Sequence, residues 1–396
     1  MTNSGTHPSS LRLASPPETG GEGVSEVAVP ALRRVVIKVG SSTLTGPDGN
    51  LDQSRIAGIA AQIAGQRALG RDVILVTSGA VSAGIGVLGI EGRPRTIPQK
   101  QAVAAVGQGR LMHSYAEAFA THGLTVAQVL LTRDDLRVRA RYLNARNTFL
   151  AILAYGAVPI VNENDTVAVD EIRFGDNDTL AALVAALAEA DALLLLSDVA
   201  GLFDKDPTVH PDAQLIPVVE QIDRSVEQRA GGARTSIGTG GMATKIQAAK
   251  ISTSSGVRMT IADGSAPNVV ADALDGRCGT LFLPKPVPIN QRKRWIAFGV
   301  MPKGTVAVND GAKVRLINEG KSLLPAGVTA VDGHFRRGEL VRIVDAAGLP
   351  FAQGFVNYAH DDLAKIMGHR TVEIASLLGH KPYDEVVHRD NLVLDL

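Results

Sequence analysis

The sequence has almost no cysteine and no net charge, and both shortages narrow the classes of protein that it can represent. Cys278 is the only cysteine among 396 residues, so the chain cannot form an intramolecular disulfide. Such a composition is typical of a reducing compartment, and we expect a cytoplasmic protein. Lys and Arg together number 40, as do Asp and Glu. The bulk charge therefore supports neither nucleic-acid binding nor attachment to a membrane surface.

Long uninterrupted apolar runs are also missing. Residues 1–30 are rich in Ser, Pro, Gly, Thr and Glu and lack the apolar core of a signal peptide, so we expect a disordered tail. The most apolar stretch, TLAALVAALAEADALLLLSDV, starts at Thr179 and has the length of a membrane span. Glu189 and Asp191 interrupt it where an Ala/Leu-rich helix would give way to a short strand. We predict a helix followed by a strand, and no membrane span.

What the sequence does contain is a regular alternation of short apolar runs and helical patterns. Ala-rich helical patterns, such as Arg55 to Leu69 and LNARNTFLAILAYG, separate runs that resemble strands, namely RRVVIKVGSS, RDVILVTSGA, LTVAQVLLT, AVPIVNEND and ALLLLSD. Near-continuous apolar strands are typical of a parallel sheet that is covered on both faces. The alternation predicts an α/β domain over residues 31–288, a three-layer αβα sandwich with a mainly parallel central sheet.

The composition changes near residue 290. LPKPVPINQRKRW contains three prolines and a basic cluster, and we interpret residues 289–303 as a linker. A small β-rich domain over residues 304–396 is predicted from the segments TVAVNDGAKVRLI, GVTAVDG, FRRGELVRIVDAAG and PFAQGFVNY. DDLAKIMG and TVEIASLLG are predicted as short helices that close this domain.

Polar residues lie at the carboxyl ends of two predicted strands, where ligands bind in open α/β sheets. Lys38 lies inside the first strand, just before Gly40. A lysine there is costly unless its charge is used or its side chain reaches solvent. Ser78 and Gly79 follow the second strand and open a helix. Such a turn can offer N–H groups and a hydroxyl to an anion, or Ser78 can simply cap the helix.

Two further segments have the composition of a nucleotide site. GTGGMATK, from Gly238 to Lys245, places three glycines before a helix that begins near Met242, with Lys245 in its first turn. Glycine N–H groups, the helix dipole and a lysine together suit phosphate, although a flexible capping loop is the alternative. LLLLSDVAGLFDKDP ends a strand with Ser197 and Asp198, which could hold a base or ribose or could merely cap the sheet.

The segment NENDTVAVDEIRFGDND, residues 162–178, contains six carboxylates but only one cation, Arg173. So many acids would suit a metal ion, a cationic ligand or a solvated loop. A calcium loop fails on spacing, because the required run of acids around a glycine with a distal Glu is not present. A single arginine also argues against a phosphate-bearing acceptor and favours a substrate that carries an ammonium group.

Together these segments resemble those of the glutamate 5-kinase family, a branch of the amino-acid kinase family. They occur in the order and spacing of that family, and the tail with SLLPAGV and FRRGELVRI is similar to the PUA domain that many members carry. The resemblance covers roughly residues 33–390. It implies phosphoryl transfer from ATP to the γ-carboxylate of L-glutamate, giving L-glutamyl 5-phosphate in the first step of proline biosynthesis.

The resemblance also implies roles for individual residues. The expected catalytic residues are Lys38, Lys245 and Asp178, with the carboxylate of Asp178 holding the two lysines. The expected glutamate-binding residues are Ser78, Asn162, Asp165, Asp176 and Asn177. The expected ATP-binding residues are Lys38, Ser197, Asp198, Thr239, Gly240, Gly241, Met242, Ala243, Thr244 and Lys245. Mg²⁺ is expected to be held mainly through the ATP phosphates rather than by the protein alone.

The family resemblance further implies a homo-oligomer, a dimer or tetramer, that proline inhibits by feedback. The nearest alternative is another kinase of this fold, with a nucleotide-monophosphate or isoprenoid-phosphate acceptor. The alternative from another class is an RNA-binding protein, because PUA-like modules often bind RNA. Residues 291–396 contain 14 Lys+Arg against 12 Asp+Glu, a net charge of +2. RNA-binding domains usually have a more marked basic stripe, so we do not expect RNA binding.

Overall fold

The computed structural model describes residues 32–46, 50–92, 94–132, 135–136, 138–168, 177–231, 241–286, 296 and 301–394. The predicted tail, most of the predicted linker and the predicted site residues Asp176, Thr239 and Gly240 lie outside this part of the chain. The chain divides into two compact units. The first comprises the described residues within Met1–Asp135 and Tyr142–Pro288, and the second those within Leu136–Arg141 and Ile289–Leu396.

A sheet of eight described strands forms the centre of the first unit, in the order β3-β4-β2-β1-β5-β7-β8-β6. The strands are β1 (Arg34–Val39), β2 (Asp72–Thr77), β3 (Val126–Leu131), β4 (Val158–Glu163), β5 (Ala192–Ser197), β6 (Val218–Val219), β7 (Arg258–Asp263) and β8 (Thr280–Phe282). Neighbouring strands run parallel except β7 and β8, which are antiparallel. The prediction of a mainly parallel sheet is confirmed.

Helices fill the connections between these strands. They are α1 (Ser41–Leu44), α2 (Gln53–Ala68), α3 (Ala80–Leu88), α4 (Ile97–Ala120), α5 (Arg139–Ala154), α6 (Asn177–Leu187), α7 (Arg224–Gly231), α8 (Met242–Ser254) and α9 (Val269–Leu274). Val35, Ile37 and Val39 of β1 pack in one core with residues of α2, α4 and α9. Because successive side chains of a strand alternate in direction, Lys38 points to the opposite face, where α6 and α8 pack. The sheet is thus covered on both faces, as the three-layer prediction requires.

The apolar stretch that begins at Thr179 is a helix followed by a strand. It forms most of α6, then turns at Glu189 and continues as β5, every residue of which is buried. The predicted change from helix to strand is confirmed. None of the helices within the described ranges is long and apolar enough to cross a membrane.

The second unit contains a sheet of five described strands, in the order β10-β9-β11-β12-β13. They are β9 (Gly304–Val308), β10 (Val328–Gly333), β11 (Leu340–Val344), β12 (Pro350–Val356) and β13 (Val387–Leu394). Its helices include α10 (Asp310–Asn318), α11 (His360–Ile366) and α12 (Ile374–Leu378). The β-rich character and the two short helices near the end of the chain agree with the prediction.

Two features of the second unit were not predicted. TVAVNDGAKVRLI, expected as a β segment, is strand β9 followed by helix α10. The helix begins there because the Asn309 side chain caps it, accepting a hydrogen bond from the Ala312 N–H at 2.8 Å. The final strand β13 was missed because the polar run His388–Asn391 interrupts its apolar pattern.

Helices α3 and α4 approach each other closely through glycines. A Cβ placed on Gly107 of α4 would lie 1.8 Å from the Ala80 carbonyl oxygen, and one on Gly84 of α3 would lie 1.9 Å from the Val103 carbonyl oxygen. Real atoms cannot approach so closely, so the glycines permit this helix pair. The contact matters for function because α3 starts at the end of β2 and α4 contacts the end of β4 through Gln108.

We expect Gly107→Ala to destabilise the first unit by about 1–3 kcal/mol, because the added methyl group must displace the backbone of α3. Gly109→Ala is the matched control. Gly109 lies two residues further along the same helix, is exposed, and has open space at its Cβ position. This control should stabilise the helix by about 0.5–1 kcal/mol. Thermal unfolding measures both changes, and equal midpoints for the two variants would contradict the close helix contact.

Candidate active site

A buried carboxylate lies between two lysines at the carboxyl end of the central strand. The Nζ atom of Lys38, in β1, lies 2.6 Å from Asp178 Oδ1, and the Nζ atom of Lys245 lies 3.1 Å from Asp178 Oδ2. All three residues are buried: Lys38 is 8% exposed, Lys245 is 5% exposed and Asp178 is 1% exposed. The structure thus brings together the three residues predicted as catalytic, although they are up to 207 residues apart in the chain.

The secondary structure accounts for this convergence. Lys38 lies in β1, the strand between β2 and β5. Asp178 is in the first turn of α6, and Lys245 is in the first turn of α8. The two helices pack against each other on the face of the sheet to which Lys38 points. The first turns of both helices therefore meet the lysine where β1 ends.

The electrostatics of the cluster favour an anionic ligand. Burial raises the pKa of the Asp178 carboxyl, but the charges of Lys38 and Lys245 outweigh it and hold that pKa below its ordinary value of 3.8. Asp178 is therefore ionised near neutral pH, and the three side chains together place two ammonium groups and one carboxylate at this strand end. Buried ammonium groups are costly unless groups of opposite sign lie near them, and an anionic ligand is one such group.

The amino end of α8 adds further groups for an anion. Gly241 is its N-cap and has no side chain that could cap the helix. The N-cap residue therefore leaves the positive end of the helix dipole without a side-chain acceptor. Thr244 connects this turn to Asp178, because its hydroxyl lies 3.3 Å from Asp178 Oδ2 and donates to the Gly241 carbonyl at 2.7 Å. Met242 and Ala243, also predicted for ATP, occupy the same first turn of α8.

A second polar cluster lies beside the lysines and consists of amides. Asn177 precedes Asp178, and its Nδ2 donates to the Thr77 carbonyl at 2.9 Å and contacts Ser78 Oγ at 2.8 Å. The same Nδ2 donates to Asn162 Oδ1 at 3.0 Å. Three of the residues predicted for glutamate, Ser78, Asn162 and Asn177, are therefore in contact. Ser78 is not the N-cap of α3, since that position belongs to Gly79, whose φ of 105° requires glycine.

The remaining predicted residues lie at neighbouring strand ends. Asp165 is partly buried in the turn after β4. Ser197 ends β5, and its hydroxyl donates to Asp198 Oδ1 at 3.0 Å. Ser197 and Asp198 also line a cavity of about 430 Å³ between α2 and the loop that precedes α9, within the size range of small-molecule sites. Their described side-chain contacts are with each other rather than with the lysine cluster.

Sequence reasoning missed three residues that support the site. Gln108 of α4 accepts a hydrogen bond from Asn162 Nδ2 at 2.9 Å through its Oε1. The hydroxyl groups of Tyr115 and Thr77 lie 2.9 Å apart at the end of β2, and burial raises the pKa of the Tyr115 hydroxyl while this hydrogen bond opposes the rise. Gln108 and Asn162 are 54 residues apart in the chain, and Thr77 and Tyr115 are 38 residues apart, which explains why the sequence did not reveal these contacts. No local sequence pattern marks such contacts.

The Asp178 carboxylate should make stability depend on pH in a defined direction. Its pKa is lowered by folding, so its stabilisation is complete above the ordinary value of 3.8 and is lost as the pH falls through the lower folded value. We expect Asp178→Asn to lower the free energy of unfolding by about 3 kcal/mol near neutral pH, because it removes the carboxylate that contacts both buried lysines. This gap should narrow at acid pH, where the wild-type carboxyl is also neutral.

Urea unfolding of the wild type and the variant at a series of pH values measures the gap. A gap that stays constant as the pH falls below 3.8 would show that the charge of Asp178 does not stabilise the cluster.

Comparison with known proteins adds an independent finding. Residues 33–263 match the Amino acid kinase family and residues 304–378 match the PUA domain. The glutamate 5-kinase of Geobacter sulfurreducens is 53% identical over 364 residues, which cover 92% of this chain and 98% of that protein. The glutamate 5-kinase of Moorella thermoacetica is 52% identical over 369 residues, which cover 93% and 98% of the two chains.

The similarity extends over nearly the whole length of these relatives and includes both units, which confirms the resemblance drawn from the sequence motifs. The chain belongs to the glutamate 5-kinase family, a branch of the amino acid kinase family, and contains a PUA domain.

Proposed function

We propose that the chain transfers the γ-phosphoryl group of ATP to the γ-carboxylate of L-glutamate, giving L-glutamyl 5-phosphate. The observation that carries this proposal is the buried cluster of Lys38, Asp178 and Lys245 beside the amides of Asn162 and Asn177. The lysine cluster offers two ammonium groups, which suit a phosphoryl group. The amide cluster combines donors and acceptors, which suits an amino acid.

The chemistry needs charge stabilisation rather than a general base. A glutamate side chain has an unperturbed pKa of about 4.3, so it is already a nucleophile near neutral pH. The obstacle is the approach of a carboxylate to the anionic phosphates, and phosphoryl transfer depends mainly on positioning and on neutralising charge. Lys38 and Lys245 supply two positive charges, and Asp178 holds both in place. ATP supplies the phosphoryl group and, with it, the phosphate oxygens through which Mg²⁺ would be held.

The two lysines have different positions and therefore different assigned tasks. Lys245 lies in the first turn of α8 next to Gly241, so we assign it to the phosphates of ATP together with the helix dipole. Lys38 comes from the sheet and lies closest to Asp178 Oδ1. We assign it to the transferred group. Ser197 and Asp198, which line the cavity at the end of β5, are assigned to the nucleoside part of ATP.

The amino acid would bind in the amide cluster. We assign the carboxylate of Asp165 and the Asn177 side chain to the α-ammonium group, and the Ser78 hydroxyl and the Asn162 amide to the rest of the main chain of glutamate. These groups supply both hydrogen-bond donors and acceptors, as a zwitterion requires. Asp176 is assigned to the same site from the family resemblance alone.

We also propose the biological setting implied by the family. The reaction is the first step of proline biosynthesis in the cytoplasm, and proline inhibits the enzyme by feedback. A homo-oligomer is supported by three apolar side chains at the end of α3, Val87, Leu88 and Ile90, which are between 39% and 55% exposed and which a second copy could cover. The near-neutral PUA domain is proposed not to bind RNA.

The direct test of the reaction is trapping of the acyl phosphate. Purified protein with ATP, Mg²⁺, L-glutamate and hydroxylamine should give γ-glutamyl hydroxamate, whereas omission of ATP should abolish it. Aspartate, N-acetylglutamate and UMP, assayed by ATP consumption, are the comparison acceptors. ATP consumption with UMP but not with glutamate would assign the chain to a different kinase activity.

Lys245→Met should lower kcat for glutamate phosphorylation about 10²- to 10³-fold, because it removes a charge that stabilises the transition state. Lys250→Met is the matched control, since Lys250 lies on the same helix and pairs with Glu227 away from Asp178. The control should keep kcat within about twofold of the wild type, as expected for a partly exposed ion pair. Equal kcat values for the two variants would contradict the role of Lys245.

Asp165→Asn should raise the KM for glutamate about tenfold or more, through loss of a charge-assisted hydrogen bond to the α-ammonium group. The KM for ATP measured on the same variant is the internal control and should stay unchanged. Initial-rate measurements give both constants. An unchanged KM for glutamate would remove Asp165 from the substrate site.

A further inference from the structure

Backbone groups fix the orientation of the Asn177 amide. Its Nδ2 lies 2.9 Å from the Thr77 carbonyl oxygen. A backbone carbonyl can only accept a hydrogen bond, so the NH₂ group of Asn177 must face it. The other end of the amide, Oδ1, is then directed away from Thr77. This oxygen is buried and has no hydrogen-bond partner among the residues that the structure describes.

A second backbone group fixes the Asn162 amide in the same way. The Glu163 N–H lies 2.9 Å from Asn162 Oδ1 and can only donate. Asn162 must therefore present oxygen to Glu163 and to the Asn177 NH₂ group at 3.0 Å. Its own NH₂ group is left on the opposite side of the amide. Asn162 is 2% exposed, so this group needs a partner within the protein.

Gln108 supplies that partner. Its Oε1 accepts from Asn162 Nδ2 at 2.9 Å, across 54 residues of sequence. The orientation of three amides is therefore connected, from the Thr77 carbonyl through Asn177 and Asn162 to Gln108. A 180° flip of either asparagine amide would exchange its Oδ1 and Nδ2 atoms and so place two donors or two acceptors against each other. If Gln108 offered no acceptor, the Asn162 NH₂ group would be buried without a partner, and the contact of Asn162 with Asn177 would persist only at the cost of that unsatisfied donor.

We propose that Gln108 is a positioning residue for the amino acid substrate. By accepting from Asn162 Nδ2, it satisfies the one polar group of that amide that the backbone and Asn177 leave unpaired, and so holds Asn162 against the Asn177 NH₂ group while Asn177 Oδ1 stays available to accept a hydrogen bond from the substrate ammonium group. The proposal rests on the proposed glutamate kinase activity. It assigns Gln108 no contact with glutamate or ATP. Its effect on binding is transmitted through Asn162 alone.

The test is Gln108→Met, which keeps the length of the side chain and removes its acceptor. The KM for glutamate should rise about tenfold, equivalent to about one hydrogen bond. kcat and the KM for ATP should stay within about twofold of the wild type, because the lysine cluster is not involved. An unchanged KM for glutamate would overturn the proposal. Changes of equal size in kcat, the KM for glutamate and the KM for ATP would overturn it as well.

Gln53→Met is the matched control. Gln53 donates from its Nε2 to Ser114 Oγ at 2.9 Å, so it also reaches α4 through one side-chain hydrogen bond, but it is not part of the amide series. This variant should leave the KM for glutamate unchanged. A rise equal to that of Gln108→Met would mean that any weakened contact with α4 disturbs the site, and the specific role of Gln108 would be wrong.

Two further variants separate positioning from folding. Gln108→Glu retains an accepting oxygen and should keep the KM for glutamate within about threefold of the wild type, even if the Met variant folds poorly. In an Asn162→Ala background, Gln108→Met should change that KM by less than about twofold, because the route of its effect is already removed. Fully additive effects would contradict transmission through Asn162.

Hydroxamate formation by the wild type, measured in the same assay, tests the activity separately. If the wild type forms γ-glutamyl hydroxamate and Gln108→Met has the wild-type KM, only the role of Gln108 is wrong.

Discussion

The described part of the active site depends on one interaction, the buried contact of a single carboxylate with two ammonium groups. Two lysines this close repel each other, and burial adds the cost of desolvating both charges. Asp178 relieves the repulsion with one oxygen toward each lysine. The two ammonium groups that Asp178 holds in place are the charges that we assign to the phosphates of ATP and to the transferred group.

The fold provides the geometry that this interaction needs. A parallel sheet gathers its strand ends at one edge, and Lys38 lies in its central region between β2 and β5. Helices α6 and α8 then place Asp178 and Lys245 from the same face. Asn177 directly precedes Asp178 in α6 and belongs to the amide cluster. The first turn of α6 therefore joins the groups assigned to glutamate to those assigned to phosphate, so one helix positions both.

Sequence patterns predicted much of this arrangement for identifiable physical reasons. Continuous apolar strands and Ala-rich helices predicted the three-layer sandwich with its mainly parallel sheet. A charged residue, Lys38, near the end of an apolar strand indicated the edge of the sheet at which the candidate site lies. Helix α10 was hidden because its alternating pattern resembles a strand until the Asn309 cap is seen. Gln108 and Tyr115 were missed because they act through contacts distant in sequence. Such contacts depend on how α4 packs, and α4 packs through glycines that leave no signature of function.

The central claim is that Asp178 organises the two lysines for the phosphoryl-transfer step itself, and single-turnover kinetics test it most directly. Rapid-quench measurement with γ-labelled ATP and saturating glutamate would compare the wild type with Asp178→Asn. The account predicts that the variant still binds ATP but transfers the phosphoryl group at least about 100-fold more slowly. An equal transfer rate in the two proteins would contradict it.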